Sequence, residues 1–229
     1  MAADDDLVRG VVGWTDLTAP DVAHEIARLR ELPGGEKLVG IRHQVQSEPD
    51  PLWLLRRDVL RGLDAVAAAG LAYDLVIHPR QLPAATSVAF MVPQLTFVLD
   101  HLGKPPRRHR RATALGPGPP LLAALPNTVD KLSGLVTEAR WDSWSPDDLR
   151  PYAQTALDAF GADRLMFGSD WPVCLLAAPY GEVVDEARML IADLSGSERA
   201  ALFGGTAERI YGSGRDHFPG WCPAFASNR

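Results

Sequence analysis

Short apolar runs alternate along this chain with stretches whose apolar residues recur every three or four positions. Six runs read as strands: residues 9–17, 38–43, 72–78, 96–101, 129–133 and 164–169. Most are continuous rather than alternating, the pattern of strands buried on both faces of a parallel sheet. The periodic stretches between them predict helices with clear ends. Thr18-Ala-Pro-Asp21 opens one that sets Val22, Ile26 and Leu29 on a single face. A second runs from about Trp53 to Gly70, a residue suited to a left-handed helix terminus. The clearest starts at Ser145, with Pro146 at its first helical position and Asp148 in its first turn. Its expected buried face is Leu149, Tyr152, Ala156, Leu157 and Phe160, and Gly161 ends it.

The expected strand ends, Asp16, His43, His78, His101, Ser133 and Asp170, are separated by 27, 35, 23, 32 and 37 residues. A strand with its crossover helix takes roughly 30 residues, so the spacing predicts successive β/α units. Two architectures satisfy it, a (β/α)8 barrel and a doubly wound open sheet. No Gly-rich phosphate loop follows the first strand, which weakens the nucleotide-binding version of the second. The strand ends also carry Arg42 and Asp100, so polar and ionisable residues recur where each apolar run stops. In a barrel those ends line one face, the face on which catalytic groups gather.

Composition narrows the partners. The 229 residues carry 23 Lys and Arg against 29 Asp and Glu, a net charge of −6, which argues against nucleic acid as the main partner. The longest apolar run, residues 87–99, is interrupted by Pro93, Gln94 and Thr96, so no membrane span is expected. The opening MAADDDLVRG is acidic where a secretory signal would be basic and then apolar, and Cys174 and Cys222 make no disulfide framework. The cytoplasm is the expected compartment. Cys174 is expected as a buried, inert thiol.

Five motifs then carry a resemblance: Val12-Gly-Trp-Thr-Asp-Leu17, Gly40-Ile-Arg-His-Gln44, Phe97-Val-Leu-Asp-His-Leu-Gly-Lys-Pro105, Lys131-Leu-Ser-Gly-Leu135 and Leu165-Met-Phe-Gly-Ser-Asp-Trp-Pro172. In this order they resemble the family 2 branch of the amidohydrolase superfamily, and within it the sugar-lactone hydrolases. The resemblance implies a (β/α)8 TIM barrel that opens a sugar-acid lactone, a small-molecule substrate. On it Asp170 is the general base that activates water, and His101 polarises the lactone carbonyl or holds a metal. Arg42, His43, Lys104, Trp141 and Trp171 are the implied substrate contacts. Lactone hydrolysis needs a base for water and a donor at the developing oxyanion, and an Asp with an imidazole supplies both. A divalent metal is the one cofactor the resemblance raises, with His101, Asp170 and His78 as its candidate ligands.

Three departures from the family pattern follow. Members begin with a strand bearing His-x-His, which occurs nowhere among His24, His43, His78, His101, His109 and His217. The expectation is a barrel lacking its first two β/α units, occupying residues 8–211, with open strand edges that favour self-association. A metal site would then be two imidazoles short. Second, Arg107-Arg-His-Arg-Arg111 and the Gly- and Pro-rich residues 112–120 predict a solvated loop in place of a helix. Third, residues 212–229 lack periodicity and predict an irregular tail. Rival readings are a non-catalytic truncated barrel, a metal-dependent amidase or decarboxylase of the same superfamily, and a nucleic-acid binder built on the Arg cluster.

Overall fold

The computed structural model of the chain describes residues 7–105 and 118–212. The Arg107–Arg111 cluster with His109, and the tail with His217 and Cys222, lie outside the described residues. Six strands, β1 (Val11–Gly13), β2 (Leu38–His43), β3 (Ala72–Leu75), β4 (Phe97–Leu99), β5 (Thr128–Leu132) and β6 (Leu165–Phe167), pair in parallel and in sequential order. Helices α1 (Val22–Glu31), α2 (Arg57–Ala68) and α3 (Leu82–Met91) occupy the first three crossovers. Between β4 and β6 lie α4 (Gly118–Ala123), α5 (Leu135–Glu138) and α6 (Pro146–Phe160). After β6 come α7 (Tyr180–Leu190), α8 (Gly196–Ala200) and α9 (Thr206–Tyr211). Among the described residues this is an α/β sheet of TIM-barrel type with fewer strands than the eight of a complete barrel.

The period of two along each strand divides the sheet into faces. Ile41, Tyr73, Leu75, Phe97 and Leu99 point outward into a core shared with Ile26 of α1, Val59 and Leu63 of α2 and Val88 of α3. Leu132 and Leu165 continue that outer face into a second core with Leu149, Ala156 and Phe160 of α6 and Val183 of α7. On the other face Ala72, Val98, Val129 and Met166 form a smaller apolar layer, against which Ala207, Ile210 and Tyr211 of α9 pack. One alternation further along the same strands the inner face turns ionic, with Asp74, Asp100 and Lys131.

All six expected strands are present, and most are shorter at their ends than the apolar runs that announced them. The second expected helix is divided: a 3-10 turn at Trp53–Leu55 precedes α2, because Arg56 between them is extended. On α6 the buried residues are Leu149, Ala153, Ala156 and Phe160, while Tyr152 and Leu157 are only half-buried. Its start is as expected, with the Ser145 backbone N–H donating to Asp148 Oδ2 at 3.0 Å. The expectation of no helix through residue 120 is corrected: Gly118, Pro119 and Pro120 open α4. Proline is tolerated there because the first-turn N–H groups have no intrahelical acceptor to lose. Among the described residues no helix is long and apolar enough to cross a membrane.

Candidate active site

The carboxyl ends of β4, β5 and β6 bring His101, Ser133 and Asp170 together. The backbone that presents them is unusual: His101, Leu102, Lys104 and Asp170 all have φ between 53° and 58°. Such conformations cost of order 1–3 kcal/mol each for ordinary residues and persist where the surroundings over-determine them. Here Leu102 is buried in the apolar core, and the Asp170 carbonyl accepts the Cys174 N–H at 2.8 Å. Gly134 and Gly168 complete the fit, since a Cβ on either would lie under 3.0 Å from His101 or Ser133 respectively.

His101 Nδ1 lies 2.8 Å from Ser133 Oγ, and its Nε2 lies 3.6 Å from Asp170 Oδ1. The other Asp170 oxygen, Oδ2, accepts the Thr137 hydroxyl at 2.8 Å. One imidazole nitrogen and one carboxylate oxygen therefore face each other across a gap longer than a hydrogen bond, while their far sides are tied back. Burial holds the His101 imidazole below its ordinary pKa, although Asp100 and Asp170 pull the other way, so the ring is held toward its neutral form.

Beneath this pair lies the ionic layer. Lys131 Nζ sits 2.5 Å from Asp74 Oδ2 and 2.7 Å from Asp100 Oδ1. Asp74 Oδ1 accepts the Tyr211 hydroxyl at 2.8 Å, and Asp100 Oδ2 accepts from Arg42 at 3.2 Å. Burial would lower the Lys131 pKa, but the two carboxylates outweigh it and raise it, so the ammonium is retained. For Asp100 burial is again the largest single effect, overcome by Lys131, His101 and Arg42 acting together; the carboxyl is held below its usual range. Asp74 moves upward because its burial is not fully offset by Lys131. The layer is thus a bracketed cation under the imidazole, sealed from below by α9.

The remaining candidates divide. Arg42 is half-exposed at the mouth and anchored to Asp100. Trp171 is exposed; Trp141 is also exposed and donates its Nε1–H to the Thr137 carbonyl at 2.8 Å. Lys104 pairs with Glu138 at 3.5 Å. His43 is engaged on both nitrogens, by Trp14 Nε1–H at 3.2 Å and Glu48 Oε1 at 2.7 Å, and stacks on Trp53. Asp16 closes its own turn by accepting the Thr18 N–H and hydroxyl, bonds that lower its pKa. Cys174 is a fully buried free thiol whose pKa burial raises. His78 is largely exposed after β3, and the partial loss of water around its ring, then Lys104, lowers its pKa.

Sequence reasoning missed Asp74, Thr137, Glu138 and Tyr211 as members of the site. A polar residue inside an otherwise apolar strand was the available signal for Asp74; Thr137 and Tyr211 arrive by tertiary packing and leave none.

Comparison with known proteins places this geometry in a family. The Amidohydrolase family pattern matches residues 1–213. A Burkholderia multivorans protein named L-fucono-1,5-lactonase is 46% identical over 222 residues, covering 92% of this chain and 74% of the relative. A Burkholderia ambifaria protein of the same name is 39% identical, covering 92% of this chain and 73% of the relative. A solved Burkholderia multivorans amidohydrolase with bound HEPES superposes with a TM-score of 0.84 at 44% identity, covering 92% of this chain and 76% of that one. A second crystal form, with bound zinc, gives a TM-score of 0.81. The family match and the two lactonase-named relatives, on this fold, define a hydrolase of the α/β-barrel class. The chain belongs to the amidohydrolase family.

A zinc ion can be tested against the donors present. His101 Nε2 and Asp170 Oδ1 face the same gap, but a catalytic zinc takes three protein ligands. Among the described residues no group of three His, Cys, Asp or Glu is arranged to hold a metal ion. The described donors therefore do not make up a zinc site.

Proposed function

We propose that the chain hydrolyses the ring ester of a sugar-acid lactone of the aldono-1,5-lactone class. The observation that carries the reading is the 3.6 Å gap between His101 Nε2 and Asp170 Oδ1, a donor position and an acceptor position facing one space at the barrel mouth. The names of the two Burkholderia relatives support the substrate class.

The chemistry follows from which atoms remain available. The Ser133 hydroxyl has one proton and two acceptors in reach, His101 Nδ1 at 2.8 Å and the Lys131 carbonyl at 3.3 Å; the Asp170 carboxylate facing Nε2 favours the ring proton there and leaves Nδ1 to accept. With the Ser133 hydroxyl donating to Nδ1, the neutral ring carries its proton on Nε2 and offers it to the lactone carbonyl oxygen. Asp170 Oδ2 is occupied by Thr137, so Oδ1 accepts a proton from water as the oxygen attacks the carbonyl carbon. The tetrahedral oxyanion is held by the Nε2–H. Collapse breaks the ring C–O bond, and the proton held by Asp170 passes to the departing alkoxide, leaving an open-chain hydroxy acid and the base restored.

The test is proton release from a panel of aldono-1,5-lactones by purified protein, against Asp170→Asn. General-base catalysis contributes roughly 10²- to 10⁴-fold, so the variant is expected to lose at least about 100-fold in kcat. Wild-type protein that melts cooperatively yet turns over none of the panel would overturn the reading.

A further inference from the structure

Trp14 is a large apolar side chain left 59% exposed, yet its edge is held in a fixed chain of contacts. Its Nε1–H donates to His43 Nδ1 at 3.2 Å, and His43 Nε2 meets Glu48 Oε1 at 2.7 Å. An indole N–H can only donate and a carboxylate can only accept, so a neutral His43 must carry its proton on Nε2. The imidazole is clamped in plane as well, stacked on Trp53 with centroids 4.5 Å apart and 12° between planes, and Trp53 is itself 4% exposed. Both His43 nitrogens and one of its faces are thus used to hold an indole whose own face is left open.

The register of β1 on β2 says what stands beside that face. Gly13, the last paired residue of β1, lies opposite Ile41, so Trp14 and Arg42 each follow at the carboxyl ends of neighbouring strands. Two residues earlier on the same face, a Cβ at Gly40 would lie 3.4 Å from Val12 Cγ2, consistent with one shared side of the two strands. Arg42 is anchored through NH1 to Asp100 at 3.2 Å, and 42% of its side chain is exposed. Asp100 directly precedes His101. A held aromatic face and a part-exposed planar donor therefore stand on adjacent strand ends, and the donor is bonded to the residue that precedes His101.

We infer that Trp14 and Arg42 form a subsite for the hydroxylated, non-reacting face of the substrate ring; the ligand's identity rests on the lactone reading above. Sugar rings present C–H groups on one face and hydroxyls at the rim. The indole packs against the first and the guanidinium donates to the second. His43 and Glu48 act as positioning residues: they immobilise the indole before the ligand arrives, so little ordering remains to be done on binding. This gives Trp14 a role in recognition and withdraws His43 from direct contact with substrate.

The experiment pairs hydrolysis of an aldono-1,5-lactone with calorimetric binding of the aldonate produced by its opening. Trp14→Ala is expected to raise KM and the aldonate Kd about tenfold, the scale of one aromatic contact, with kcat within about twofold of wild type. Trp14→Phe should recover most of the loss, and His43→Ala should weaken both by less than Trp14→Ala does. Melting curves distinguish these effects from misfolding, since an exposed side chain contributes little to the core. If wild type hydrolyses the lactone and Trp14→Ala leaves KM and Kd unchanged, the subsite is wrong while the function stands. If wild type hydrolyses no lactone but binds the aldonate, and Trp14→Ala abolishes that binding, the subsite stands while the proposed reaction falls. Wild type that neither turns over lactone nor binds aldonate removes both.

Discussion

A Cβ added at Gly134 would lie 2.8 Å from Nδ1 of His101, so the imidazole occupies the space that any other residue's side chain would need at position 134. Gly134 is also left-handed, with φ of 66°. Two penalties coincide there, backbone strain of about 1 kcal/mol and a clash with the ring itself. Gly161 has a similar φ of 71° with nothing within 4 Å of its Cβ position. Its ψ of 162° puts it in a region reserved for glycine, so Gly161→Ala is expected to cost roughly 1–3 kcal/mol of stability and no activity. Gly134→Ala should lose a similar amount of stability or more, and most of its kcat, because His101 must move. Denaturant titration and turnover of both variants check this; equal activity losses in the two would mean that the clash does not matter.

Ser133 and His101 are coupled through one hydrogen bond, and the proposed chemistry needs the tautomer in which the hydroxyl donates to Nδ1. Ser133→Ala removes the hydroxyl without adding bulk, leaving Nδ1 free to take the proton. We expect kcat to fall about tenfold or more with KM little changed, since the lost interaction matters only when charge develops on the carbonyl oxygen. Ser133→Thr keeps a hydroxyl and should retain part of the rate. An alanine variant with wild-type kcat would show that the tautomer is set by something else.

The strands were legible because each is an apolar run bounded by polar residues, and in a sheet covered on both faces that run is nearly continuous. Their ends were not legible, because the apolar character of Val76 and Ile77 continues past β3 into a buried loop. His101 and Asp170 stood out as the ionisable residues at which such runs stop. Asp74 and Lys131 lie within their strands, and what pairs them is the curvature of the sheet across β3, β4 and β5. Tyr211 reaches Asp74 from 137 residues away in sequence, a contact that no local pattern encodes. The family resemblance makes His43 an expected substrate contact. In the structure that ring stacks on Trp53, and its Nε2 lies 2.7 Å from Glu48 Oε1.

Lys131 is the common partner of two buried carboxylates, and its removal leaves Asp74 and Asp100 facing each other without a cation between them. Deleting one member of a buried ionic group typically costs roughly 3–5 kcal/mol, because the partner charge stays desolvated. Lys131→Met keeps the length of the side chain and should show a loss of that order, with a lowered Tm. Adding Asp74→Asn should recover part of it by removing one uncompensated charge; a fully additive double variant would contradict the coupling. Arg42 still reaches Asp100 in either variant, so recovery is expected to be greater through Asp74 than through Asp100.

Asp130 lies on the outer face of β5, wholly buried, and burial holds its carboxyl well above the ordinary range despite the backbone N–H groups of Lys131 and Leu102. The folded chain therefore keeps a proton that the unfolded chain releases near the usual aspartate pKa. Stability from this group is complete below that unfolded value and is lost as pH rises toward and through the folded one. Near neutral pH Asp130 thus works against the fold. Asn has the same shape and cannot ionise. Asp130→Asn is expected to raise Tm at pH 7.5 and to raise it less, or not at all, at pH 4.5, flattening the decline of stability between the two. Thermal melts of both proteins at the two pH values measure this directly. An equal fall in Tm at both would show instead that the protonated carboxyl donates a hydrogen bond the amide cannot replace.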